Sequence, residues 1–109
     1  MSTSEGSVAA MPGQAQGSVL LRHAVGLHAR PSVKLTKLAK TFGARIHLGL
    51  SQEGPWIDAK SIVKVMATKA PQETVLFFRA EGDDAEQAVK ALVTLVEQDF
   101  EDGTAGPAS

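Results

Sequence analysis

The sequence contains no cysteine, no tyrosine and no excess of charge of either sign. Without cysteine there is no disulfide framework, no thiolate metal site and no cysteine nucleophile. Eleven Lys and Arg against twelve Asp and Glu give a net charge of −1, whereas nucleic-acid-binding domains usually carry a clear basic excess. No apolar run approaches the ~20 residues that a membrane-spanning helix needs, and the N-terminus shows no signal-peptide pattern. We therefore expect a cytoplasmic protein that neither binds nucleic acid nor inserts into a membrane.

What is present fits one small globular domain. The chain has 109 residues, of which 43% are hydrophobic and 21% charged. Residues 1–17 and 101–109 are dominated by small and polar side chains that cannot build a core, so we expect both tails to be disordered. The folded domain is then expected over residues 18–100.

The periodicity of apolar residues predicts four strands and three helices. Alternation predicts strands over residues 18–24, 46–50, 56–59 and 74–80, and helical spacing predicts helices over residues 29–41, after Ser61 and after Asp83. The order β-α-β-β-α-β-α predicts an α+β open-faced β-sandwich, in which three helices cover one face of a four-stranded antiparallel sheet. Phe77 would lie exposed on the open face or pack against a tail, and Trp56 would pack in the hairpin.

Acidic residues and histidines outside the main motif favour structural roles. Asp83 and Glu86 have the spacing of a capping box for the last helix, and helix capping explains the acids near residue 83 better than a cation site does. His23 and His47 each stand alone, with no carboxylate spaced to share a metal, so no metal site is expected.

Residues 26–31, GLHARP, form the most informative segment, because a glycine turn delivers His28 to the start of a predicted helix. The first N–H groups of a helix lack intrahelical partners and lie at the positive end of its dipole, so those of Ala29 and Arg30 can bind phosphate oxygens. The guanidinium of Arg30 matches phosphate bidentately, and a neutral imidazole at His28 offers a lone pair to phosphorus. An ordinary strand-to-helix turn with His28 as a helix cap would have the same local sequence.

The GLHARP segment resembles the active-site motif of the histidine-containing phosphocarrier (HPr) family of the bacterial phosphoenolpyruvate-dependent phosphotransferase system. Residues 59–62 (AKSI) and 80–83 (AEGD) are also similar to that family, so the resemblance spans residues 18–100. It implies that His28 accepts a phosphoryl group through Nδ1 from phosphorylated enzyme I, that Arg30 assists, and that an enzyme IIA-type protein receives the group. The expected protein is a monomeric carrier without a cofactor, rather than an enzyme.

The resemblance also assigns roles around the short helix. Ser61 matches the family's regulatory serine, which an HPr kinase/phosphorylase phosphorylates in some bacteria, although a plain N-cap worth about 1 kcal/mol would also explain a serine there. A solvated face is the default for the nearby lysines, whereas the resemblance implies a docking surface for acidic partners, formed by Lys37, Lys40, Ile62, Val63, Lys64 and Met66.

Two features leave alternatives open. Lys69, Ala70 and Glu73 stand where many family members carry glycines. Residues 99–102 resemble the nitrogen-related branch of the family, so the assignment to the sugar branch or to the nitrogen branch stays open. The competing functions are a regulatory module that binds proteins through the Ser61 helix, and a ligand-binding or nucleic-acid-binding domain that uses the open sheet face.

Overall fold

The computed structural model describes residues 6–22 and 26–100, which form five strands and three helices. The elements are β1 (Gly6–Met11), β2 (Gln14–Leu20), α1 (Ala29–Lys40), β3 (Arg45–Gly49), β4 (Ile57–Asp58), α2 (Ile62–Ala67), β5 (Val75–Glu81) and α3 (Ala85–Glu97). Every predicted helix is present, and β3 and β5 each lie within one residue of the predicted strand.

The five strands form one antiparallel sheet in the order β1-β2-β5-β3-β4. Alternate side chains of each strand face the helices, and on the central strand β5 these are Leu76, Phe78 and Ala80, all buried. Their neighbours Val75, Arg79 and Glu81 face the other way and are exposed. The predicted α+β open-faced sandwich is confirmed, with five strands in place of four.

The N-terminal strand was not expected, because residues 1–17 were predicted to be disordered. That prediction is wrong for residues 6–17. The Pro12-Gly13 dipeptide, with φ +76° at Gly13, makes a tight turn, and β1 pairs with β2 over six residue pairs. Consequently β2 begins at Gln14 rather than residue 18. Residues 1–5 and 101–109 lie outside the described residues.

Helix α3 packs closely over the added hairpin. A side chain at Gly17 on β2 would bring its Cβ to 2.8 Å from Cγ1 of Val89, so the helix approaches the strand to a distance that only glycine permits. Val8 of β1 is half-buried and packs against the same core. Small residues therefore give this hairpin its place in the fold, rather than a run of large apolar side chains.

The predicted capping box at the start of α3 is also wrong. The N-cap residue is Asp84, not Asp83, and its side chain makes no capping hydrogen bond to its own helix. Its carboxylate instead accepts hydrogen bonds from the backbone N–H groups of Gly43 (2.9 Å) and Ala44 (2.8 Å), which lie between α1 and β3. The Asp84 side chain therefore joins two segments that are 40 residues apart in the chain.

Trp56 packs within its hairpin, as predicted. The Arg79 guanidinium lies 4.3 Å above its ring centroid, and the backbone of Gly54 and Gly49 passes close to the ring. Phe77 lies half-buried on the outer sheet face, paired with Gly49 and Ser18. Within residues 6–22 and 26–100, no helix has both the length and the apolar character to cross a membrane.

Candidate active site

The turn before α1 is held in place by the segment between α2 and β5. Gly26 has φ +70°, and a Cβ there would lie 2.2 Å from the Ala70 carbonyl oxygen, so no other residue fits without displacement of the backbone. The next residue, Leu27, donates its backbone N–H to that same oxygen at 2.9 Å, and its side chain is buried. The position of His28 is therefore fixed by a contact that joins residues 27 and 70.

His28 is the N-cap residue of α1 and is exposed. Its carbonyl accepts the first helical hydrogen bond, from the N–H of Ser32 at 3.0 Å, whereas its imidazole makes no capping hydrogen bond. The N-cap prediction is correct for the backbone, but the side chain is left available for chemistry. An ordinary capping role for the histidine side chain is thereby excluded.

The helix end behind His28 is suited to an anion. Pro31 has no N–H, so Ala29 and Arg30 supply the first backbone donors that lack an intrahelical acceptor. The first turn of α1 contains no acidic residue, which leaves the positive end of the helix dipole uncompensated. A phosphoryl group on His28 could therefore lie beside two backbone donors and the dipole.

Arg30 and His28 line different pockets at the start of α1. Arg30 is exposed and lines a groove along the outer side of α1 together with Val33 and Lys37. The pocket lined by His28 is formed by Leu27, Met66, Lys69, Ala70, Pro71 and Gln72. Arg30 therefore adjoins the histidine along the chain without sharing its pocket.

Ser61 is the N-cap residue of α2, as predicted. Its hydroxyl accepts a hydrogen bond from the Lys64 N–H at 3.3 Å, and its carbonyl accepts one from the Val65 N–H at 2.9 Å. The residue is half-buried. The capping role is thus present in the structure.

Comparison with known proteins places this geometry in a family. The family model described as the PTS HPr component phosphorylation site matches residues 15–98. The chain belongs to the HPr family. Its solved structural neighbours include HPr-C-His from Thermoanaerobacter tengcongensis, with a TM-score of 0.72 at 35% identity, covering 80% of this chain and 97% of that one.

Curated relatives include both branches of the HPr family. Phosphocarrier protein HPr of Cupriavidus necator is 38% identical over 79 residues, covering 72% of this chain and 86% of that protein. Phosphocarrier protein NPr of Proteus mirabilis is 30% identical over 84 residues, covering 77% and 92%. The multiphosphoryl transfer protein of Haemophilus influenzae is 37% identical over 92 residues, and the match spans 84% of this chain but 18% of that much longer protein.

The residues predicted to dock partners lie on α1 and α2, two helices that pack against each other. On α2, Val63 is 73% exposed and Met66 39% exposed, which leaves apolar side chains at the surface. Lys37, Lys40 and Lys64 are exposed, and Ile62 is half-buried. The structure therefore places exposed apolar side chains on α2 and exposed lysines on both helices.

Two other lysines have structural roles instead. The Lys34 ammonium donates to the Phe100 carbonyl at 2.9 Å and so joins α1 to the end of α3. The Lys60 ammonium donates to the Phe42 carbonyl at 2.8 Å, just beyond the end of α1. Neither contact has a local sequence signal, because each partner is distant along the chain.

Metal-ligating residues do not cluster in the described part of this HPr-family chain. Among residues 6–22 and 26–100, no three His, Asp or Glu side chains are arranged to hold a metal ion. His47 lies on β3 in register with Arg79 and Asp58. His23 lies outside the described residues.

Proposed function

We propose that this protein is a phosphocarrier of the phosphotransferase system, which accepts a phosphoryl group on His28 from phosphorylated enzyme I and passes it to an enzyme IIA-type acceptor. The supporting observation is the exposed imidazole of His28, without an intramolecular hydrogen bond, directly before the N–H groups of Ala29 and Arg30. In each transfer an imidazole lone pair, on Nδ1 by the family pattern, attacks phosphorus while the donor's phosphorus–nitrogen bond breaks. The donor nitrogen keeps the bonding electron pair.

The site suits a carrier that acts as a protein substrate rather than an enzyme. Phosphoryl transfer requires the attacking and leaving atoms to lie roughly in line. An exposed imidazole at the surface allows a partner's phosphorylated side chain to approach along that line. The two backbone N–H groups and the guanidinium of Arg30 then stabilise the phosphoryl oxygens in the carrier.

The partners are proposed to dock on α1 and α2. The exposed apolar side chains of Val63 and Met66, with Ile62, supply a hydrophobic centre. Lys37, Lys40 and Lys64 surround that centre with positive charge, which would steer an acidic rim on enzyme I and on the acceptor. The carrier domain is proposed over residues 6–100, wider than the expected 18–100 because β1 and all of β2 belong to the sheet, and it is proposed to act as a cytoplasmic monomer without a cofactor.

Ser61 is proposed as a second, regulatory phosphorylation site, used by an HPr kinase/phosphorylase where the host has one. Phosphorylation would replace a capping hydroxyl by a group of charge about −2 beside Ile62 and Val63. That charge would oppose the docking of an acidic partner while leaving His28 intact. Regulation would therefore act on association rather than on the phosphoryl acceptor itself.

The test is a phosphorylation assay with two donors. Purified protein is incubated with phosphoenolpyruvate and either a sugar-system or a nitrogen-system enzyme I, and the product is weighed by mass spectrometry. We expect one acid-labile phosphoryl group, gained faster from the cognate donor, whose identity also names the branch. His28→Ala should gain none and the matched control His47→Ala should gain one. Failure of the wild-type chain with both donors, or an unchanged gain in His28→Ala, would refute the proposal.

A further inference from the structure

The pocket beside His28 contains one permanent positive charge, and it comes from a residue that sequence reasoning did not assign. Of the residues that line this pocket besides the histidine, Lys69 alone carries a permanent charge. Arg30, the expected phosphate partner, lines a different groove along α1. A phosphoryl group on the pocket side of the imidazole would therefore meet Lys69.

The backbone brings Lys69 close to His28. Leu27 and Ala70 are hydrogen-bonded at 2.9 Å between N and O. His28 is one residue after Leu27, and Lys69 is one residue before Ala70. The two side chains thus begin next to a single hydrogen-bonded contact, and the flexible four-carbon stem of a lysine can cover the remaining gap.

The conformation of Lys69 is one that favours glycine. Its φ is +50°, immediately after the C-cap residue Thr68 of α2, and its N–H donates to the Met66 carbonyl at 3.1 Å. Left-handed backbone is common just after a helix, where glycine is the usual residue, and a side chain there carries a backbone cost. Residue 69 thus retains a charged side chain at a position that locally favours glycine.

The ammonium of Lys69 is also uncommitted. Within residues 6–22 and 26–100, the ammonium groups of Lys34 and Lys60 donate to backbone carbonyls, whereas the ammonium of Lys69 makes no hydrogen bond or ion pair. The residue is exposed. Its charge is available to an incoming anion without the loss of an existing contact.

We propose that Lys69 is a second phosphate-binding cation of this carrier, which contacts a phosphoryl oxygen on His28 from the pocket side, in addition to Arg30 and the helix N-terminus. The inference rests on the proposed function, because it requires a phosphoryl group on His28. The contact stabilises the phosphorylated form relative to the free form. It therefore shifts the equilibrium of phosphoryl exchange toward this chain.

An exchange equilibrium measures this contact directly. Phosphorylated wild type is mixed with an equal amount of an unphosphorylated variant and a trace of enzyme I, and the phosphoryl distribution is read by mass spectrometry. The equilibrium ratio does not depend on how fast either chain docks. Lys69→Gln and Lys69→Gly should each hold about five-fold less phosphoryl group than wild type, the loss of one charge-assisted contact at an exposed site. Lys69→Arg should hold about as much as wild type.

Three outcomes separate the explanations. Lys90→Gln is the matched control, since it removes an exposed lysine of α3 that lies outside the pocket and outside the docking surface, and it should leave the ratio near one. Glycine removes the cost of the left-handed backbone at residue 69, whereas glutamine does not. Different phosphoryl ratios for Lys69→Gly and Lys69→Gln would therefore assign the effect to the backbone and overturn the proposal. A phosphoryl ratio near one for both variants would also overturn it. A wild-type chain that gains no phosphoryl group would instead overturn the proposed function.

Discussion

Replacement of Gly26 by alanine tests whether the contact between residues 27 and 70 positions the histidine. Alanine at φ +70° costs roughly 1–2 kcal/mol, because Cβ crowds the following carbonyl in left-handed backbone. The new Cβ would also lie 2.2 Å from the Ala70 oxygen, so the segments must separate and the Leu27 hydrogen bond is lost, at about 0.5–1.5 kcal/mol. We expect a total loss of about 2–3 kcal/mol in the free energy of unfolding.

Gly13 provides a matched control for this substitution. It has nearly the same φ, +76°, but a Cβ there meets nothing within 4 Å. Gly13→Ala should therefore show the backbone cost alone, roughly 1–2 kcal/mol. Urea denaturation at pH 7 measures both variants, and the rate of phosphorylation by enzyme I should fall only in Gly26→Ala. Equal destabilisation of the two variants, or an undiminished phosphorylation rate in Gly26→Ala, would refute the positioning argument.

Three further perturbations test other contacts. The Gly43 N–H is the main cause that holds the pKa of the Asp84 carboxyl below its usual value of 3.8, with Ala44 and Lys60 acting in the same direction. The stabilisation by this carboxylate is therefore complete above pH 3.8 and is lost as the pH falls through the lowered pKa. The urea midpoints at pH 7 and pH 3 should consequently differ more for wild type than for Asp84→Asn. Lys69→Gly should raise the unfolding free energy by about 1 kcal/mol in the same assay, because glycine accepts φ +50° without strain; a loss of stability would contradict this. Ser61→Asp should weaken binding to enzyme I in a salt-dependent way by titration calorimetry, whereas unchanged affinity would argue against regulation through this surface.

The sequence predicts those parts of the site whose geometry depends on residues close together in the chain. A glycine, a histidine and a proline within six residues predict the turn, the helix start and the exposed side chain, and α1 begins at Ala29 as expected. The same holds for Ser61, whose capping bond spans three residues. Contacts between residues this close in the chain depend on the order of a few residues, so a short motif predicts them.

The contacts that sequence reasoning missed are long-range. Residues 6–17 have few large apolar side chains. The strand β1 forms because it pairs with the edge of β2, and α3 packs over this hairpin with Val89 close to Gly17. Asp83 was expected to cap α3, but the N-cap residue is Asp84, and its carboxylate accepts hydrogen bonds from the turn after α1. No local pattern distinguishes these outcomes, since both depend on which segments meet after folding.

The segment between α2 and β5 connects fold and chemistry at this site. Ala70 supplies the carbonyl that binds Leu27, and that carbonyl lies where any side chain at Gly26 would have to go. Lys69, its neighbour, lines the pocket beside the imidazole. Substitution at residue 69 can therefore alter the charge near the phosphoryl group while the main-chain contact made by residue 70 is retained. The placement of the histidine and the stability of its phosphorylated form can thus change independently, because adjacent residues control them.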